Sequence, residues 1–300
     1  VTNQRPRNYK KLGTDYETLK AWKPDIIWLG VTGFGPESNE AAYDPILQAK
    51  SGLMEMTGEP DGSPQVLGIP LPDMGTSAHA YGLLMKALFK RAVSGQGSRI
   101  DLSMFESSVS WLTVPVTMTA SFGKPTARRG NTHEFFCPVS VFKTNDGFVD
   151  LAVGNDRQWS AMVSHDIFKS LSKPAYVENS GRVRDVDNLN KAINKITQNH
   201  SSQELIDLLK SFTVPISRIN TIPDMIDEPL VSRRLLYSKD SKTGKRITLA
   251  PPPHMTRFLE KQDRMLSFPP RFGEHNLEIY GHRLGYTEED LSRLKEKGVI

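Results

Sequence analysis

The chain has a single cysteine, Cys137, which excludes an internal disulfide and any multi-cysteine metal centre and fits a reducing, cytoplasmic setting. A lone thiol of this kind reads as a small buried hydrophobe rather than a nucleophile. No apolar run approaches the ~20 residues that a bilayer span requires, so no membrane role is expected. Neither a G-x-G-x-x-G fingerprint nor a P-loop occurs, and there is no helix-turn-helix, zinc-finger or RNA-binding signature. Charge of one sign is scarce as well: the formal net charge is +4 over 300 residues, and basic residues gather only at Arg5, Arg7, Lys10 and Lys11. That cluster suits a phosphorylated small molecule as well as a nucleic acid, and without a nucleic-acid motif only the former is expected. Repeats and low-complexity tracts are missing, and Pro251 to Pro253 is too short for a proline-rich ligand.

What is present belongs to a globular chain large enough for one large or two moderate domains, with 38% hydrophobic and 24% charged residues to build cores and cover them. Tyr9, Leu12, Tyr16 and Leu19 follow a helical spacing broken at Lys23-Pro24. Residues 25–31, DIIWLGV, read as a short strand buried on both faces, and Thr32-Gly33-Phe34-Gly35-Pro36 is a glycine loop at its carboxyl end, where open α/β sheets bind ligands. Residues 43–52 predict a helix with Ile46, Leu47 and Ala49 inward. Residues 99–104 predict a strand, and a helix starts at Glu106.

From 121 to 131 the texture turns to Gly, Lys, Pro, Arg and Asn, as at a crossing between domains. Beyond it Asn145-Asp146-Gly147 between two β-type runs is a strong hairpin signal. Helices are expected near 159–171, 185–198 and 202–211, the last capped by Ser202, with Val214 to Pro223 as connectors. A strand near 247–249 and two final helices, 277–284 and 288–297, complete the pattern.

One stretch organises the rest. Val66 to Pro72 is apolar and proline-stopped, Asp73 follows at once, and Ala78, Tyr81, Leu84, Met85 and Leu88 recur at helical spacing as a core-facing stripe. Asp73 is therefore a candidate N-cap, and Gly75, Thr76 and Ser77 are small enough to leave first-turn amides open to a ligand. The helix start favours a carboxylate over a carboxylic acid, the state a nucleophile needs.

Taken in order, these segments resemble the class III coenzyme A transferases, the CaiB/BaiF and formyl-CoA transferase type, over nearly the whole chain. Asn3-x-Arg5-Pro6 with Leu12-Gly13, Thr32-Gly33-Phe34-Gly35, Ser51-Gly52-Leu53 with Thr57-Gly58, and Gly68-x-Pro70-x-x-Asp73 ahead of Gly95-Gln96-Gly97 match family segments. Gly130-Asn131, Asp146-Gly147 and Gly273-Glu274-His275 then fall in family order. The resemblance implies an α/β fold: a Rossmann-like large domain formed by both chain ends, 1–125 and 231–300, plus a smaller α+β domain, 126–230. It also implies an interlocked dimer, either a homodimer or a heteromer with a related subunit. Because the sequence starts at a valine, it further implies that roughly the first third of the large domain lies outside this sequence.

The implied activity moves coenzyme A from an acyl-CoA donor to a free carboxylic acid. Asp73 would be the nucleophile, CoA thioesters the substrates, with no metal and no permanently bound cofactor. CoA contacts are carried over to Asn3, Gln4, Arg5, Lys11, Thr32, Gly33, Phe34 and Gly35. Where oxalate-type members carry glycines, this chain has Thr132-His133-Glu134-Phe135-Phe136, which implies an acceptor bulkier than oxalate. Racemases of the same family use a histidine in a G-H-D segment. Here the stretch is Ala42-Tyr43-Asp44, and tyrosine, with a reference pKa of about 10, is a poor base, so that activity ranks second. A non-catalytic subunit is the third reading, against which stands the retained Asp73.

Overall fold

Pro6 presets a helical φ and opens a 3-10 turn, Pro6–Asn8, that runs into α1 (Tyr9–Leu12). Gly13, at φ 64°, ends α1, so the helical spacing across 9–19 is split in two. The second piece, α2 (Tyr16–Trp22), is capped by Asp15, whose carboxylate accepts from the Thr18 amide at 3.0 Å. The computed structural model describes residues 1–300 and divides into two units, Val1–Arg218 and Ile219–Ile300.

In the first unit β1 (Ile27–Thr32) buries Trp28 and Leu29, as its apolar run demands. After α3 (Asp44–Lys50) and the 24-residue α4 (Leu71–Ser94), β2 (Ser98–Ser103) pairs parallel with β1, from Ile27 opposite Ser98 to Thr32 opposite Ser103. A parallel pair needs a return crossover, so α4 runs back and its start lies at the carboxyl end of the strands. Gly95, at φ 69°, ends α4 in the left-handed conformation that glycine adopts most easily. On the other side of β1, Thr2 bridges Gly30 in parallel: its amide donates to the Leu29 carbonyl at 2.9 Å, and its carbonyl accepts from Val31 at 2.8 Å. Residues 3–5 thus continue past the carboxyl end of β1. α5 (Met104–Ser110), capped by the Ser103 hydroxyl, and α6 (Thr113–Phe122) follow β2.

A second layer of this unit is antiparallel. β3 (Val139–Lys143) and β4 (Phe148–Ala152) form the expected hairpin, and β5 (Ile216–Arg218), expected as a connector, adds to β4. α7 (Asp156–Ser164), α8 (Asn179–Arg184), α9 (Val186–Thr197) and α10 (Ser202–Ser211) pack here around a core that includes Phe142, Leu151, Trp159, Leu189, Ile193 and Leu209. The cap of α10 is Ser201, not Ser202: Ser201 and Glu204 form a reciprocal capping box, while Ser202 is buried against Asp146 and Thr144. Cys137 is buried, and burial pushes its thiol up to about 11, which leaves it a protonated small hydrophobe.

The second unit contains α11 (Ile222–Asp227), α12 (Pro229–Ser232), β6 (Leu236–Lys239), β7 (Arg246–Leu249), α13 (Arg257–Lys261) and β8 (Met265–Leu266). A π-helical turn, Leu277–Arg283, and α14 (Glu288–Glu296) end it. Its sheet has the order β7-β6-β8; only the β7 run is visible as a strand in the sequence, because the four-residue β6 and two-residue β8 are too short to show a period. The architecture is mixed α/β, and no helix is long and apolar enough to cross a membrane.

Candidate active site

A cavity of about 710 Å³ opens at the carboxyl end of β1. Four sequence segments meet on its wall: Asn3, Gln4 and Arg5 from the strand-like start, Thr32 and Gly33 from the glycine loop, Glu40 to Asp44 leading into α3, and Asp73 from α4. The α4 wall is one helical stripe, Asp73, Thr76, Ser77, Ala80, Tyr81 and Leu84, at three- and four-residue spacing. Gly33 is required by close approach, since a Cβ there would collide with the Ala42 methyl group, and this contact joins the glycine loop to Ala42-Tyr43-Asp44.

Six of the nine residues expected at the site therefore share one cavity. The other three do not reach its wall. Lys11 is exposed on α1, Gly35 is buried with its amide donating to the Thr32 hydroxyl at 3.0 Å, and the Phe34 ring lies under the Lys50 ammonium at 4.1 Å and near Phe105 at 5.9 Å. His133 and Glu134 also lie elsewhere: His133 Nδ1 accepts from the Phe135 amide, and Glu134 pairs with Arg129 at 3.1 Å. Lys50, the one cation near Tyr43 in sequence, is engaged by Phe34 and by Glu40 at 3.5 Å.

Asp73 differs from its expected place in one respect. It is the third residue of α4, not its cap; the cap position is Pro70, which offers no side-chain acceptor. The early start follows from the two prolines, whose fixed φ suits a first helical turn. Nor are the first-turn amides open. Leu71 donates to the Ile69 carbonyl at 2.8 Å, Pro72 has no donor, Asp73 donates to Asp44 Oδ2 at 3.3 Å, and Met74 donates to the Pro70 carbonyl at 3.0 Å. Burial, and secondly the Asp44 carboxylate, push the Asp73 pKa up from the usual carboxylate value, against the pull of the helix start.

Asp44 and Gln48 were not readable as site residues, because the helix they sit on was expected to bury Ile46 and Ala49. In the structure Ile46 and Ala49 are exposed, and Asp44, Leu47 and Gln48 are buried. Gln48 Nε2 donates to Asp44 Oδ1 at 2.6 Å, and Gln48 Oε1 accepts from the Leu67 amide at 2.9 Å. The available signal was the i, i+4 spacing of an acid and an amide just after a helix start. His79 packs away from this network, 2.7 Å from the Ser107 hydroxyl and stacked on Trp111 at 5.1 Å, where it ties α4 to α5. No group of three or more His, Cys, Asp or Glu side chains is arranged to hold a metal ion.

Residues 1–276 match the family described as CoA-transferase family III. The chain belongs to that family. Among its relatives, an acyl-CoA transferase of Fusarium pseudograminearum is 30% identical over 100% of this chain and 67% of its own length. A succinate–glutarate CoA-transferase of Agrobacterium fabrum is 30% identical over 93% of this chain and 70% of its own length. In three dimensions the crystal structure of a CaiB/BaiF family protein from Brucella suis superposes with a TM-score of 0.78 at 28% identity, covering 93% of this chain and 74% of that one. This family III chain is thus an enzyme of the CoA-transferase class, and CoA thioesters are the substrates of that class.

Proposed function

We propose that this CoA-transferase moves coenzyme A from an acyl-CoA donor to a free carboxylic acid through covalent intermediates on Asp73. The observation that carries the reading is the meeting of Asp73 with Asn3, Gln4, Arg5, Thr32 and Gly33 on the wall of a single cavity at the carboxyl end of a parallel strand pair. An Asp73 oxygen attacks the thioester carbonyl, the C–S bond breaks, and CoA leaves as thiolate, giving a mixed anhydride. The thiolate then attacks the aspartyl carbonyl and expels the donor carboxylate, which leaves an aspartyl-CoA thioester. The acceptor carboxylate attacks that thioester, the thiolate departs again, and it returns to the acceptor acyl carbon, restoring the Asp73 carboxylate. Each attack builds charge on a carbonyl oxygen that backbone donors must meet. With the first-turn amides of α4 and the Gly35 amide occupied, the donor is assigned to the Gly33 end of the glycine loop, the part that reaches the wall.

Arg5 is the only arginine or lysine on the cavity wall. Its planar fork suits a phosphate of CoA, with Asn3 and Gln4 beside it. Lys11, Phe34 and Gly35 would join the CoA site only at its margin, Lys11 as an exposed point charge. A short dicarboxylic acid as acceptor is supported by the name of the Agrobacterium relative. A dimer interlocked with a second related chain is supported by the apolar side chains that α4 exposes, among them Met85, Phe89 and Val93.

The test is chemical trapping. Incubation with succinyl-CoA and then hydroxylamine is expected to leave a hydroxamate on the peptide carrying Asp73, and Asp73→Ala is expected to abolish both the hydroxamate and transfer. Transfer that survives in the alanine variant removes Asp73 from the mechanism. A chiral 2-methylacyl-CoA kept in deuterated water is expected to retain its α-hydrogen; deuterium entering there as fast as CoA exchanges would instead favour the racemase chemistry.

A further inference from the structure

Burying an ionised carboxylate is costly unless it is paired or fully hydrogen-bonded. Asp44 is 9% exposed and has no ion pair. Its two oxygens are instead held by the Gln48 amide and by the Asp73 backbone N–H. Gln48, 2% exposed, reaches in the other direction to the Leu67 amide. Two neighbouring side chains of α3 therefore pin both ends of the proline-stopped segment that leads into α4, one at Leu67 and one at Asp73. The remaining titratable groups on the cavity wall are Arg5, Glu40, Tyr43 and Tyr81, and on α4 itself His79 is turned toward Ser107.

From this geometry we infer that Asp44, locked by Gln48, is a positioning residue for the Asp73 nucleophile: it fixes the first turn of α4 and holds a second negative charge beside the attacking carboxylate. The inference rests on the proposed role of Asp73. When Asp73 attacks the thioester, its own charge is lost into the anhydride and reappears on the departing CoA sulfur. The repulsion between the two carboxylates is present before attack and gone after it. A fixed neighbouring charge thus raises the energy of the resting anion more than that of the acylated enzyme, which lowers the barrier to acylation. Burial raises the Asp73 pKa, and the Asp44 charge adds a second, smaller push in the same direction.

The experiment follows acylation of Asp73 by succinyl-CoA, read as hydroxamate by mass spectrometry, across pH. Asp44→Asn keeps the shape and removes the charge: acylation is expected to slow about tenfold or more, and the acid limb of the pH profile to move to lower pH, because Asp73 then loses its proton more easily. Gln48→Leu removes the lock and leaves the charge: acylation is expected to slow while the acid limb stays where it is in the wild type. The KM for succinyl-CoA should change little in either variant. Should Asp44→Asn fail to fold, Gln48→Leu still decides, since acylation at the wild-type rate there removes the positioning role. An unshifted acid limb and an unchanged rate in Asp44→Asn, or an unchanged rate in Gln48→Leu, overturns the role of Asp44 while leaving Asp73 in place. Wild type that gives hydroxamate at another residue overturns the reading of Asp73 itself.

Discussion

The helices behind β3–β5 bury Trp159, Met162, Phe168, Leu189, Ile193 and Leu209 almost completely, whereas α4, at 24 residues the longest helix, buries only Pro72, Gly75, Thr76 and Ala87. Phe89 and Val93 on α4 are 72% and 73% exposed, and the expected inward stripe of Ala78, Tyr81, Met85 and Leu88 is exposed as well. The site-bearing half reverses the usual assignment: acid and amide groups go inside at Asp44 and Gln48, and apolar side chains remain outside. The β3–β5 half is held by apolar area that only needs to be removed from water, a non-directional force. The site half has a smaller apolar core, at Trp28, Leu29 and Leu47, and adds a few directional bonds that fix where Asp73 stands; such bonds contribute geometry more than stability.

The comparison breaks most sharply at Arg182, the one fully buried cation of the β3–β5 half. Its guanidinium donates to the carbonyls of Cys137, Tyr176 and Val177 at 2.7 to 3.0 Å and to Asp156 at 2.7 Å, with Trp159 5.1 Å away. Here a polar group serves stability, because three carbonyls would otherwise lack a partner. Arg182→Ala is expected to cost about 3–5 kcal/mol in urea denaturation. A loss below about 1 kcal/mol would mean that the carbonyls find water, and the contrast between the halves would blur.

A smaller effect, visible only in acid, belongs to Asp146 in the hairpin turn. Hydrogen bonds from the Ser202 hydroxyl and amide, then from Thr144, hold its pKa down at about 2, with Arg218 2.6 Å away adding to the shift. A depressed folded-state value stabilises the fold above the unfolded value of about 3.9, and that contribution fades as pH falls from about 4 toward about 2. Asp146→Asn should therefore flatten the pH dependence of the melting temperature in this window and leave a constant loss above it. An unchanged slope in the variant assigns the acid sensitivity to other carboxylates.

The smallest effect is expected on the outer face of α4. Phe89→Ser should change the stability of the chain by no more than about 0.5 kcal/mol, as for other exposed positions. A loss above about 2 kcal/mol in solution would show that another copy or another chain covers this face, which is the outcome that would sharpen the interlocked-dimer proposal.

Legibility followed the same division. β1 was readable from consecutive apolar residues, β2 from Ile100 and Leu102 two residues apart, and the β3–β4 hairpin from its Asn-Asp-Gly turn, signals that act within a few residues of themselves. The candidate site was readable in part: Asp73 stood out between an apolar stop and a helix, and Asn3 to Arg5 and Thr32-Gly33 through a family resemblance. Asp44 and Gln48 were not, since periodicity ranks side chains by hydropathy and two of the three buried residues of α3 are polar. The Ser201 cap was missed by one residue because Ser201 and Ser202 are chemically alike, and only the direction of the chain decides which hydroxyl meets the Glu204 amide.

By itself, the sequence determined β1 to β4 and β7, the Asn-Asp-Gly turn and the termination of α4 at Gly95, all of which depend on local φ preferences and short-range burial. The tertiary structure alone decided that Thr2 lies beside Gly30, so that Asn3 to Arg5 reach the cavity of Asp73, some seventy residues away along the chain. It also decided that Asp73 is neighboured by a second carboxylate, because the crossover between two parallel strands sets α3 against the first turn of α4. Strand pairing and helix crossing are long-range choices in which the partner is fixed by what remains to be buried, and no local residue pattern encodes that partner.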